Sequence, residues 1–76
     1  MTDMETAIGK LVTDKRFRKD LFSNPESTLR KYGLTLSKED MAKIKKADPN
    51  KVEKALAAAQ DAIGAAAKIA IVVWDV

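Results

Sequence analysis

Helix-start signals recur so often along this chain that only short helices can form between them. The stretch "SNPESTLRKYG" carries the clearest set. Asn24 stands as N-cap, Pro25 as the first helical residue, and Glu26 lies in the first turn, where a carboxylate favours the helix dipole. Gly33 then closes the segment as a C′ residue. Further start signals come from Thr2 or Asp3, from Thr13 or Asp14, from Ser37 with Asp40 three residues on, and from Asp48 followed by Pro49. Between them the apolar residues recur at helical spacing. Met4, Ile8, Leu11 and Val12 share one face, and Phe17, Leu21 and Phe22 another. Leu29 and Tyr32 follow, then Met41 and Ile44 with Leu34 and Leu36 at their approach, then Val52, Leu56, Ala59 and Ile63. The pattern predicts an all-α fold, a small bundle of about five short helices.

Seventy-six residues make one domain with a modest core, too small for a deep catalytic cleft. Cys and His are both absent. That removes disulfides, thiolate chemistry, the commonest general base and the commonest metal ligand. The serines at 23, 27 and 37 read as cap or loop residues with no base to activate them, and Glu39, Asp40 and Asp48 as first-turn residues. No phosphate-binding loop and no metal-ligand spacing is present. These features point to a protein that is not an enzyme and binds no cofactor itself. The N-terminus lacks the charged start and apolar run of a signal peptide, so a cytoplasmic location is expected.

The formal charge is +3, with two basic runs, "KRFRK" (Lys15, Arg16, Arg18, Lys19) and "KIKK" (Lys43, Lys45, Lys46). A DNA-reading helix needs Arg, Gln or Asn at successive exposed positions. The segment "KEDMAKIKK" offers lysines and acids instead, so the runs read as solvated faces. No nucleic-acid partner is expected, although a small DNA-binding or protein-interaction domain is the rival reading from another class.

The closing "KIAIVVWDV" breaks the pattern. From Ile69 to Val73 every residue but Ala70 is β-branched, which favours extended backbone. Gln60, Asp61 and Lys68 make the region from Ala55 to Trp74 too polar to span a membrane. An extended tail needs a partner for its N–H and C=O groups, supplied either by docking on the bundle or by another molecule. The expected division is a helical domain over 1–67 and an extended tail over 68–76.

The order of signals from Leu11 to Lys46 carries a resemblance. Asp14, Phe17, Leu21, Asn24-Pro25-Glu26, Leu29 and Tyr32-Gly33-Leu34-Thr35 form the pattern "D..F...L..NPE..L..YGLT", followed by a helix with an acidic start. This resembles the helical leader regions of ribosomally synthesised, post-translationally modified peptide precursors, most closely those of the borosins. The resemblance implies a substrate protein. Its helical leader docks on a separate S-adenosylmethionine-dependent α-N-methyltransferase in a hetero-oligomeric complex. Its hydrophobic C-terminal core is methylated on backbone amides. Ile69, Ala70, Ile71, Val72 and Val73 are the candidate modification positions. The tail holds no Cys, Ser or Thr for azoline or lanthionine chemistry. Leu21, Phe22, Leu29, Tyr32, Leu34, Met41 and Ile44 are the candidate docking residues, with the bundle's own core as their alternative use. A precursor for a different tailoring enzyme, acting on Trp74 or Asp75, is the nearest variant of this reading.

Overall fold

In a computed structural model, which describes residues 2–75, the chain is all-α. Six α-helices run in order: α1 (Asp3–Thr13), α2 (Lys15–Ser23), α3 (Pro25–Lys31), α4 (Lys38–Lys46), α5 (Pro49–Ala58) and α6 (Ala62–Ile69). α6 continues directly into a π-helical turn, Ala70–Trp74. Among the described residues no helix is long and apolar enough to cross a membrane.

The expected caps set most of these boundaries. The Thr2 hydroxyl accepts from the Glu5 N–H while the Glu5 carboxylate accepts from the Thr2 N–H, a reciprocal capping box. Asp14, Ser37 and Asp48 accept from Phe17, Asp40 and Asn50 N–H groups at the starts of α2, α4 and α5. Asn24 occupies the N-cap position of α3 without a side-chain cap bond, and Pro25 is first in the helix. Gly33, at φ 69°, ends α3. Its N–H donates to Arg30 O, and the Leu34 N–H donates to Leu29 O at 2.8 Å, the paired bonds of a Schellman motif.

The helix count differs from five because the Ala-rich region divides. Asp61 accepts from the Gly64 N–H at 2.7 Å and starts α6 after a break at Ala59–Asp61. The break rotates the face that points inward. Ile63, which falls on the apolar face of an unbroken helix, is instead 83% exposed. Ala65, Ile69 and Val73, spaced four apart, turn into the core.

The extended tail is the main correction. Residues 69–74 are helical, and Ile69, Val73 and Trp74 are core residues beside Leu11, Phe17, Leu21, Leu29, Ile44 and Val52. Asp75 follows in the left-handed region at φ 60°, and Val76 lies outside the described residues. The expected boundary at 67–68 falls inside α6. β-branched residues cost only a few tenths of a kcal/mol each in a helix. Burying Ile69 and Val73 is worth roughly 1.5–3 kcal/mol each, and the larger indole of Trp74 adds more. Burial therefore outweighs local preference. The π turn also has a geometric consequence. Bonding five residues back stacks residue 74 over residue 69, so that adjacent Val73 and Trp74 are both buried.

α1 packs on α2 and α6, α2 on α3, and α5 on α6, while the π turn touches α4 and α5. Phe17 meets the Tyr32 ring edge-to-face at 5.0 Å between centroids, and Lys10 Nζ sits 5.0 Å from the centre of the same ring. Arg18 closes the C-terminus of α1. Its Nη1 donates to the Leu11 and Val12 carbonyls and its Nε to Glu53 on α5.

Trp74→Ala is expected to lower unfolding stability by about 3–5 kcal/mol, whereas Ile71→Ala, at a position 57% exposed, shifts it by less than about 0.5 kcal/mol. Urea denaturation followed by far-UV circular dichroism measures both. Two neutral substitutions would return the tail to an appendage outside the core.

Candidate functional site: a groove between α3 and α4

The link from α3 to α4, Tyr32 to Ser37, holds the two helices apart and leaves a groove of about 730 Å³ between them. Its position follows from local chemistry. The Schellman turn at Gly33 directs the chain out of α3, and the Thr35 N–H donates to Asp3 Oδ2 at 2.8 Å, which ties the link to the first turn of α1. The groove floor is apolar: Leu29 from α3, Leu34 and Leu36 from the link, and Met41 from α4, with exposed Ala42 at the lip. Lys38, Met41, Ala42 and Lys45 fall at i, i+3, i+4 and i+7, so one face of α4 forms a whole wall.

The rim is basic. Lys45 Nζ pairs with Glu26 Oε1 at 2.8 Å, closing one edge of the groove. The hydrogen bond from Lys45, then its charge, with a smaller contribution from Arg30, holds the Glu26 carboxyl below the ordinary carboxylate range. Both partners are largely solvated, so this pair contributes little to stability and is screened by salt. Arg30 and Lys38 also line the groove and make no ion pair among the described residues.

The opposite side of α4 holds the C-terminal segment. Ile44 is in the core, and the Trp74 indole N–H donates to the Asp40 carbonyl at 3.3 Å. The helix that walls the groove thus rests on the π turn.

The seven candidate docking residues divide. Leu21, Leu29 and Ile44 are core residues. Tyr32 is half-buried against Phe17 and beneath Lys10. Phe22 is half-buried and lines a separate hollow of about 500 Å³ with Lys15, Lys19 and Pro49. Leu34 and Met41 are half-buried, and with Leu29 they line the groove. Leu36, expected only at the approach to α4, also lines the groove, as do Thr35, Ala42, Arg30 and Lys38, which are not among the expected docking residues. The i, i+3, i+4 relation of Lys38, Met41 and Ala42 was the available signal. The candidate modification positions are not presented for chemistry in this conformation. Ile69 and Val73 are buried, Ala70 and Val72 are half-buried, and their amides lie within α6 and the π turn.

Comparison of the chain with family models, with curated proteins and with solved structures returns no match.

Groove and core separate by substitution. Leu29→Ala is expected to cost about 2–5 kcal/mol, while Ala42→Glu, on the exposed lip, leaves the denaturation midpoint within about 0.5 kcal/mol. Equal losses in urea melts would make the lip part of the core. The rim pair has its own signature. By carboxyl NMR, Glu26 titrates below ordinary glutamates, and Lys45→Ala moves it back up. Since the folded value is the lowered one, the rim pair is intact at neutral pH and is lost as pH falls through that folded value. A titration unmoved by Lys45→Ala would remove the pair as its cause.

Proposed function

We propose that this protein is the precursor of a ribosomally synthesised, post-translationally modified natural product of borosin type. Its helical body docks through the α3–α4 groove on a separate S-adenosylmethionine-dependent methyltransferase. Backbone amides among Ile69, Ala70, Ile71, Val72 and Val73 are the acceptors. The observation that carries the reading is a coincidence of position. The residues of the "NPE..L..YGLT" stretch do not all disappear into the core, since Glu26, Leu29, Gly33, Leu34 and Thr35 together line the open groove. Leu34, Leu36 and Met41 remain half-buried there, so part of their apolar surface is open to a partner.

The chemistry asks two things of this chain. It must deliver the tail, and it must free the amide N–H groups that α6 and the π turn occupy. Methyl transfer then forms an N–CH₃ bond as the sulfonium S–CH₃ bond breaks, and the amide proton leaves to a base of the partner. Freeing the tail withdraws Ile69, Val73 and Trp74 from the core. Their burial is worth about as much as the whole stability of a domain this size, about 4–11 kcal/mol. Docking energy at the groove therefore has to offset much of the cost of release, and docking raises the effective concentration of the freed tail at the active site.

A second reading is favoured by the burial of Trp74. In it the tail is a permanent part of the core, and the protein is a helical interaction domain that binds through the same groove. Intact mass after co-expression with a borosin-class methyltransferase separates the two. Gains of about 14 Da per methyl, mapped to residues 69–73, are expected for the precursor. A complex formed with no change in mass would assign the interaction domain, and neither complex nor mass change would overturn both.

A further inference from the structure

We infer that the groove receives an amphipathic helix of the partner, one that carries apolar anchors flanked by carboxylates. This rests on the docking reading above and names what docks. Charge complementarity is the first ground. The floor is apolar, and the lining holds three cations and one anion: Arg30, Lys38, Lys45 and Glu26. Glu26 and Lys45 satisfy each other. Arg30, in the last turn of α3, and Lys38, first in α4, have no ion-pair partner among the described residues. An incoming segment with acids beside its apolar residues meets both needs, and a basic one is repelled.

The second ground is shape. α4 has nine residues, about 13 Å of wall at 1.5 Å per residue. Apolar anchors at i, i+4 and i+7 of a helix span roughly 10 Å and fit that wall. Pairing of an extended strand with the α3–α4 link fits less well. A strand uses the N–H groups of alternate residues. The Leu34 N–H already donates to Leu29 O, and the Thr35 N–H to Asp3 Oδ2. Either register along Leu34–Ser37 therefore begins with a donor already spent.

The test is selection of a displayed library of amphipathic helices against the full chain, with Leu fixed at i, i+4 and i+7 and the flanking positions randomised. Asp and Glu are expected to be enriched at the flanks. With an R30E/K38E variant the preference is expected to reverse to Lys and Arg. A K51E/K54E control, on exposed positions of α5, leaves the preference unchanged. Ala42→Glu is expected to weaken the selected binders at least tenfold. No enrichment, flanks without charge preference, a reversal with the α5 control, or binders indifferent to Ala42→Glu would each overturn the inference. If methylation in the co-expression experiment succeeds while this selection fails, the precursor reading stands and the helix as occupant falls.

Discussion

Burial of the C-terminal helical segment is the constraint on which the rest of the structure depends. Ile69, Val73 and Trp74 fill the space between α1, α4 and α5. The other helices are seven to eleven residues long, too short to be stable by themselves. Each persists because one apolar face meets the others, and the last segment supplies part of the surface that several of them share. The π turn belongs to the same solution. It places adjacent Val73 and Trp74 in the core and brings the indole N–H onto the Asp40 carbonyl, so that this buried donor is satisfied.

The position of α4 follows from that burial. One side of the helix lies on the π turn and the other faces the groove, so the two surfaces share a single rigid element. A ligand in the groove and the packing state of the tail therefore act on the same helix. If docking shifts α4, the shift is felt at Trp74, and loosening of Trp74 is felt in the groove by the same free energy.

Local chemistry was legible where it acts within a few residues. The caps at Asp14, Ser37 and Asp48, the proline starts at Pro25 and Pro49, and the Gly33 C′ all occur as their residue types require. The core faces through Leu11, Phe17, Leu21, Leu29, Ile44 and Val52 follow the helical period. Two features depart from the sequence expectation, each for its own reason. Ile63 leaves the inner face because the Asp61 cap starts a new helix inside the Ala-rich run, and a single break rotates every later residue. The tail is β-branched enough to favour extended backbone, yet Ala65, Ile69 and Val73 recur at helical spacing and their burial decides the outcome. The candidate groove was half legible. Leu29, Leu34 and Met41 were named as docking residues, but Leu21 and Ile44 from the same set went to the core. Periodicity identifies apolar faces without saying which of two apolar neighbours another helix will cover.

The sequence by itself determined that this protein is a set of short helices, where most of them begin and end, and which residues are apolar enough to be buried. Those properties come from caps, prolines, glycine and spacing, all of which act over one or two turns. Only the tertiary structure decided that the β-branched tail is a helix inside the core and that the apolar residues between α3 and α4 stay partly open under a basic rim. Both outcomes depend on contacts between segments far apart in the chain, α1 with α6 and α4 with the π turn among them. The area buried there outweighs backbone preferences of a few tenths of a kcal/mol per residue.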